Sequence, residues 1–299
     1  MPEFDWGFTL VLLVNGVMIG LMYALIALGF VLIYKATDAI NFAQGEFVMF
    51  AGFIAAAAAG AAGAPFWLAG LIAIAGMVAL GFGLERVVLR PLIGRPVIAV
   101  VMATIGLAAV LRGVSVVFFG ASTLSITMPV GDEPINLGIV SVPPVQLVGA
   151  VVSILCLGIF TWFFLKSRIG IAMRAVADSQ QVAMAMGINV RRYFALAWAM
   201  AGVVSAIGGI VWGAMLGVDN QLALVGLKVF PVVILGGLDS VLGAVIGGLV
   251  IGIVENLTAG YFDPIVGGGT KDFAPYVLMI IVLMIRPEGM FGRRRIERV

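Results

Sequence analysis

Long apolar runs constrain this chain more than any other feature of its sequence. The first, Phe8 to Ile33, contains no charge and exceeds the ~20 residues that a helix needs to cross a bilayer. Charged residues make up only 11% of the chain, against about a quarter in a soluble domain. We therefore predict an all-α polytopic membrane protein with a single transmembrane domain over residues 1–299. The further spans are expected as two helices between Glu46 and Glu85, then Val97–Phe119, Val145–Leu165, Tyr193–Leu216 and a last helix ending at Ile285.

The region from Leu227 to Leu257 departs from this pattern. Its apolar character is interrupted by the sequence LGGLDS at Leu235–Ser240, and each flanking piece is short for a full span. We predict a hairpin of two discontinuous helices, of the kind that transporters place around a binding site. About seven full spans plus this hairpin, or about eight to ten hydrophobic segments, is the expected architecture.

Basic residues are distributed unevenly between the predicted loops. Fourteen of the seventeen lie on one side: Lys35, the loop Arg86–Arg95, the stretch Lys166–Arg192, and the C-terminal residues Arg286, Arg293, Arg294, Arg295 and Arg298. The other side carries Lys271 and the acidic residues Glu3, Asp5, Asp132, Glu133, Asp219, Asp263 and Asp272. Cytoplasmic loops are enriched in Lys and Arg, so we predict a periplasmic N-terminus and a cytoplasmic C-terminus.

Several classes of function find no support in the sequence. The chain has no histidine and one cysteine, Cys156, which removes the usual triad base and the usual zinc ligands. No glycine-rich segment ends in the Lys-Ser/Thr of a phosphate-binding loop. The net charge of +2 gives no electrostatic basis for a nucleic-acid partner. We predict no catalytic residue, no metal site, no bound cofactor and no nucleic-acid partner.

The stretch Lys166–Arg192 is charged, unlike the runs around it. Asp178 and Gln181 have the spacing of a capping box, and Gly187 is a typical helix stop, which predicts a helix over Ser179–Met186. The apolar residues Val182, Ala183 and Met186 would lie on adjacent turns of this helix. Two interpretations are open: the helix docks into a partner, or it lies on the membrane surface or on the protein's own helices.

Polar groups at membrane depth are costly and are candidates for function. One cluster comprises Asn41, Gln44, Gly45 and Glu46, and another Gly236, Gly237, Asp239 and Ser240. Both are expected to offer free backbone N–H groups at a helix start and to line a translocation path. The alternative is an ordinary turn with a capped helix in the first case, and a second cap at Asp239. We expect Arg112 to extend towards the outer interface, and Glu255 and Asn256 to line a mouth or to anchor at the interface.

Four segments, taken together, resemble a known family. They are YALIALGFVLIYKATDAINFAQGEFVMFAGF, RAVADSQQVAMAMGINVRR, FPVVILGGLDSVLGAVIGGLVIGIVEN and IRPEGMFG. In this order they are similar to the LivH-type permease subunit of high-affinity branched-chain amino acid ABC importers, a bacterial inner-membrane protein. The resemblance implies a second, LivM-like permease subunit, two cytoplasmic ATPase subunits that bind ATP and Mg, and a periplasmic substrate-binding protein. It is less specific for substrate, because related permeases are assigned to urea, amides and other amino acids.

The resemblance also implies how the chain is coupled to its ATPases. Ala183, Gly187 and Ile188 are similar to the loop by which ABC permeases dock a helix into a groove of the ATPase. Arg174 and Asp178 are carried over with them, while Gln181-Val182-Ala183 stands where the family has Glu-Ala-Ala. The alternative class of function is a stand-alone secondary carrier, for which Glu46 and Asp239 would be the acidic candidates.

Overall fold

Helices dominate the computed structural model, which describes residues 5–131, 133–138 and 140–292. A π-helical turn at Glu85–Leu89 and a 3₁₀ turn at Arg90–Leu92 follow the helix Phe66–Leu84. A further 3₁₀ turn at Asn220–Ala223 precedes the helix Leu224–Gly236. The helices are α1 Trp6–Thr37, α2 Gln44–Gly60, α3 Phe66–Leu84, α4 Val97–Phe119, α5 Pro144–Lys166, α6 Arg168–Asp178, α7 Gln180–Ala185, α8 Val190–Leu216, α9 Leu224–Gly236, α10 Val241–Tyr261, α11 Asp263–Val266 and α12 Thr270–Ile285.

One small antiparallel pair, β1 Ile135–Leu137 and β2 Val140–Val142, precedes α5, with Ile135 opposite Val142. Part of the predicted charge asymmetry lies outside the described residues: Glu3, Asp132, Arg293, Arg294, Arg295 and Arg298.

Six helices among the described residues are long and apolar enough to cross a membrane. They are α1, α3 with its extension to Leu92, α4, α5, α8 and α10. The apolar helix α2 has 17 residues and α12 has 16. The predicted class, an all-α polytopic membrane protein, is confirmed; the count of seven spans and the orientation stay predictions.

The predicted helix break is present, since α9 ends at Gly236 and α10 begins at Val241. The expectation that both flanking pieces are short was wrong for α10, which has 21 residues. The polar residues near its end do not stop the helix because they bond to its own backbone. Asn256 Nδ2 donates to the Gly252 carbonyl at 2.9 Å, and Thr258 Oγ1 donates to the Val254 carbonyl at 2.8 Å.

Two compact units make up the chain. The first consists of the described parts of Met1–Ala27, Val130–Leu155 and Lys228–Val299, and the second of Leu28–Pro129 and Cys156–Leu227.

In the first unit, α1 and α10 meet backbone to backbone. A Cβ built on Gly20 would lie 2.5 Å from the Gly248 carbonyl oxygen, and one on Gly16 would lie 2.8 Å from the Ile253 Cα. The sequence therefore carries the small-xxx-small spacing that lets membrane helices approach closely, and uses it on both helices.

A carboxylate orders the loop between α10 and α12 in the same unit. Asp263 accepts a hydrogen bond from the Thr270 backbone N–H at 2.7 Å and a second from its hydroxyl, so it satisfies a free donor at the start of α12. These hydrogen bonds lower the pKa of the Asp263 carboxyl below its usual value.

In the second unit, α8 packs against both α2 and α3. Trp198 of α8 is buried edge-to-face on Phe47 of α2, with ring centroids 5.7 Å apart. A Cβ on Gly202 would lie 2.5 Å from the Met77 carbonyl oxygen of α3. Small residues again set the distance between helices, and the aromatic pair fills the space beside them.

We predict that Gly20→Ala destabilises the protein although alanine is the better helix former. The new methyl group has no room against Gly248, and overpacking typically costs about 1–3 kcal/mol. The measurement is the melting temperature of the purified chain in detergent. Gly158→Ala in α5 is the matched control, since no atom lies within 4 Å of its Cβ, and it should be neutral or stabilising. Equal melting temperatures for the two variants would show that the α1–α10 contact is not tight.

Candidate functional site

The charged stretch Lys166–Arg192 folds into α6 and α7, followed by the start of α8. Ser179 is the N-cap of α7: its Oγ accepts from the Val182 N–H at 3.2 Å. The prediction of Asp178 as the cap was therefore wrong, because Asp178 is the last residue of α6. The predicted and the observed N-cap of α7 are therefore neighbouring residues. Helix α6 ends at Asp178 because the backbone becomes extended at Ser179, where φ is −160°.

Gly187 ends α7 as predicted. Its φ is +81°, the left-handed conformation in which glycine carries no Cβ penalty. The Gly187 N–H donates to the Met184 carbonyl at 3.0 Å and the Ile188 N–H to the Ala183 carbonyl at 2.9 Å, the paired bonds of a Schellman motif. Asn189 then caps α8 by accepting from the Arg192 N–H at 3.3 Å, so only Gly187 and Ile188 lie between Met186, the C-cap of α7, and Asn189, the N-cap of α8.

The surface of α7 is apolar where a charged segment would normally be polar. Ala183 is 3% exposed and holds the helix against its own unit. Val182, Met184 and Met186 are 62%, 56% and 77% exposed. Val182, Ala183 and Met186 therefore do not form the one common face that was expected. Ala183 packs against its own unit, while Val182 and Met186 are exposed. We name Val182, Met184 and Met186 the α7 surface.

The other residues predicted to couple lie around this helix. Arg174 is half-buried in α6 and Asp178 is exposed at its end, while Ile188 is half-buried after the Schellman turn. The structure brings Ala183, Gly187 and Ile188 together through the hydrogen bonds of the turn, and it leaves Arg174 and Asp178 on the preceding helix.

Apart from the exposed Phe42, the segment Asn41–Glu46 is buried in the second unit and hydrogen-bonded within it. Asn41 Oδ1 accepts from the Ala43 N–H at 3.1 Å, and Gln44 Nε2 donates to Ser205 Oγ of α8 at 2.9 Å. Gly45 packs against the Ala223 carbonyl so closely that a Cβ would overlap it. The polar side chains of Asn41 and Gln44 therefore stabilise the start of α2 from inside the unit.

Glu46 has a partner that the sequence did not indicate. Its Oε1 accepts from Arg112 Nε at 3.0 Å and Nη2 at 2.6 Å, and the carboxylate is buried while the guanidinium is half-exposed. The expectation that Arg112 extends to the outer interface was wrong, because a buried carboxylate 66 positions away along the chain attracts it.

The break at 235–240 is closed by the chain's own C-terminal segment. The Met290 N–H donates to the Leu235 carbonyl at 2.8 Å and the Phe291 N–H to the Gly236 carbonyl at 3.1 Å. Gly237, with φ +100°, lies beside Gly292 at a distance that leaves no room for a Cβ. The carbonyl groups at the end of α9 are thus satisfied, which makes this break a packed joint.

The cap of α10 is Ser240. Its Oγ accepts from the Gly243 N–H at 2.9 Å, so Asp239, the residue considered as a second cap, precedes the capping position and is half-buried.

A charged cluster in the first unit was missed. Lys228 Nζ of α9 lies 2.8 Å from Asp272 Oδ1 and 3.6 Å from Glu255 Oε1, and Glu255 is buried in α10. Glu255 is therefore an internal ion-pair partner. Neither of the expected roles, lining a mouth or anchoring at the interface, included this contact. The sequence does contain a signal for this cluster. Lys228 is the one charged residue in an apolar run from Leu222 to Leu238, and a charge in such a run indicates a buried partner.

Comparison with known proteins decides the family. Residues 12–283 match the family described as branched-chain amino acid transport system, permease component. The chain belongs to this family. It is 32% identical to the high-affinity branched-chain amino acid transport system permease protein BraD of Pseudomonas aeruginosa, over 96% of this chain and 97% of that protein.

Two further relatives support the assignment. The permease protein LivH of Escherichia coli, of the same high-affinity transport system type, is 32% identical over 95% of this chain and 96% of its own length. The probable branched-chain amino acid transport permease protein LivH of Methanocaldococcus jannaschii is 27% identical over 91% of this chain and 89% of its own length. The predicted resemblance is confirmed, and this chain is a permease subunit of an ABC importer and a multi-pass protein of the inner membrane.

We predict that Arg112→Met destabilises this permease by about 2 kcal/mol, because it leaves the buried Glu46 carboxylate without its half-exposed partner. The double variant Glu46→Gln/Arg112→Met should recover more than half of that loss, since no charge then stays buried. Thermal unfolding in detergent measures both, with Arg112→Lys as the charge-preserving control. A double variant no more stable than Arg112→Met would show that the two side chains act independently.

Proposed function

We propose that this chain is one of two permease subunits of a binding-protein-dependent importer of branched-chain amino acids. The support is the family and the names of relatives that align over nearly their whole length. In this proposal residues 1–299 act as one permease domain with its N-terminus periplasmic and its C-terminus cytoplasmic. A LivM-like subunit completes the pore, and a periplasmic binding protein delivers the substrate.

ATP hydrolysis belongs to two cytoplasmic ATPase subunits, which would hold the ATP and Mg. We propose that they act on this chain through α7. The observation that carries this proposal is the α7 surface: two exposed apolar side chains on a six-residue helix and a third on its C-cap residue, inside a charged stretch. Methionine adapts its shape to a partner, and exposed apolar patches mark interaction sites.

The five coupling residues receive separate roles in this proposal. Ala183 is small enough to let α7 lie on its own unit, and Gly187 with Ile188 fixes the end of the helix. Arg174 and Asp178, on α6 and at its end, would contact the rim of the ATPase groove through their charges. Motion of the ATPase pair would move α7 and, through the short link at Gly187–Asn189, α8.

We further propose that the two polar clusters border the translocation path. Asn41, Gln44, Gly45 and Glu46 would shape it by holding the start of α2 in place, since their side chains are bonded inside the unit. Gly236, Gly237, Asp239 and Ser240 would provide the joint between α9 and α10 about which the hairpin bends. Substrate affinity would reside mainly in the binding protein.

Met184→Glu tests the coupling role. A carboxylate in an apolar docking contact costs several kcal/mol, so ATP-dependent leucine uptake by the reconstituted complex should fall at least about tenfold. Met184→Leu, which keeps the surface apolar, should retain uptake. Co-purification of the ATPase subunits reports the same contact directly. Wild-type uptake by the Met184→Glu variant would contradict the proposal.

A further inference from the structure

Helix α3 ends in a turn that is closed by two residues, through their backbones and through their side chains. Glu85–Leu89 form a π-helical turn, in which an N–H bonds to the carbonyl five residues earlier, and the Arg90 N–H donates to the Glu85 carbonyl. The Arg90 side chain returns to the same residue: Nε donates to Glu85 Oε1 at 3.2 Å and Nη2 to Oε2 at 2.8 Å. The two side-chain bonds form a charge-assisted fork.

This fork fits the π-helical register and not the α-helical one. In an α-helix, residues five apart lie about 140° apart around the axis, so their side chains do not meet. Glu85 would then face Val88 and Leu89. Its side chain is 0% exposed, so the carboxylate would be buried without a partner, which is costly. The ion pair therefore stabilises the π-turn against the far more common α-helical conformation.

The π-turn sets the position of the segment that follows it. Leu89, the last residue of the turn, is buried in the same core cluster as Trp198 of α8. Pro91 has no N–H to donate and helps to end the helix. A change from π-helical to α-helical bonding would shift the following chain by one residue, about 100° around the axis. The fork thus determines which side of the following segment faces the rest of the unit.

The positioned segment lies beside the start of α7. Residues 92–95 line a surface depression together with Gln180, the first residue of α7, and Phe194 in the second turn of α8. All of these residues belong to the second unit. The segment 92–95 therefore borders both of the helices that the link Met186–Asn189 joins.

We propose that Glu85 is a positioning residue for coupling: through Arg90 it holds residues 92–95 as a rigid support beside α7, so that a displacement of α7 moves α8. The inference rests on the proposed function, in which the ATPase subunits act through α7. Because Glu85 is fully buried, it acts only through the segment that Arg90 carries. Without the fork, the segment yields when α7 is displaced, and α8 receives less of the movement.

Glu85→Gln tests this role. Glutamine has nearly the shape of glutamate, but it lacks the charge that holds the guanidinium fork. The measurement is the coupling ratio, leucine transported per ATP hydrolysed, of the complete complex with its binding protein in vesicles. We expect the ratio to fall at least about fivefold, with ATP hydrolysis retained. Arg90→Lys should lower the ratio as well, since an ammonium group cannot form the fork.

Two controls separate positioning from a merely structural role. Misfolded protein lowers uptake and hydrolysis together and leaves their ratio unchanged. Arg86→Gln is the matched control, because Arg86 is an exposed residue of the same turn, and it should keep the wild-type ratio.

A crosslink reports the position of the segment itself. In a chain with Cys156→Ser, the pair Arg95→Cys and Gln180→Cys should be joined by a short bismaleimide, because both positions line the same depression. Addition of Glu85→Gln should slow this crosslink at least about fivefold, since the π-turn then loses its ion pair and the segment shifts.

The outcomes separate this inference from the proposed function. Wild-type uptake by Met184→Glu means that the proposed function fails. If Met184→Glu abolishes uptake while Glu85→Gln keeps the wild-type coupling ratio, the inference fails alone. A lower ratio with unchanged crosslinking also overturns it, because the segment has then not moved. If Glu85→Gln does not assemble, Arg90→Lys, whose side chain is 36% exposed, decides by the same two measurements.

Discussion

Contact between helix backbones at glycine is the interaction on which the rest of this structure depends. In a bilayer, apolar side chains gain little by leaving lipid for protein, so helices associate through close packing and hydrogen bonds. Gly20 against Gly248 in one unit and Gly202 against Met77 in the other bring main chains into direct contact. Each unit is therefore dense enough to enclose polar groups with their partners, as Gln44 is enclosed with Ser205.

A dense unit has a mechanical consequence for α7. The helix packs on the rest of the second unit through Ala183, and the link to α8 is only the four residues from Met186 to Asn189. Both ends of this link are fixed by hydrogen bonds, a Schellman motif on one side and an Asn cap on the other. A displacement of α7 is therefore passed to α8, which packs on α2 and α3, and is not absorbed in a flexible loop.

How much the sequence predicts depends on how local the cause is. The all-helical membrane class, the break before Val241 and the stop at Gly187 follow from hydrophobic length and glycine chemistry, and they were predicted. The cap of α7 was misplaced because Asp178 and Ser179 both precede the helix and spacing alone does not choose between them. Glu46–Arg112 and Lys228–Glu255 could not be predicted as pairs, since each joins residues far apart in the chain through tertiary packing.

Cysteine accessibility at position 184 tests the central claim most directly. With Cys156 replaced by serine, Met184→Cys puts the only thiol of the chain on the α7 surface. A bulky maleimide should label it rapidly in the isolated permease, and at least about tenfold more slowly once the ATPase subunits have assembled on it, because the docked helix is covered. Equal labelling rates in the free and assembled permease would contradict the claim that the ATPases act through α7.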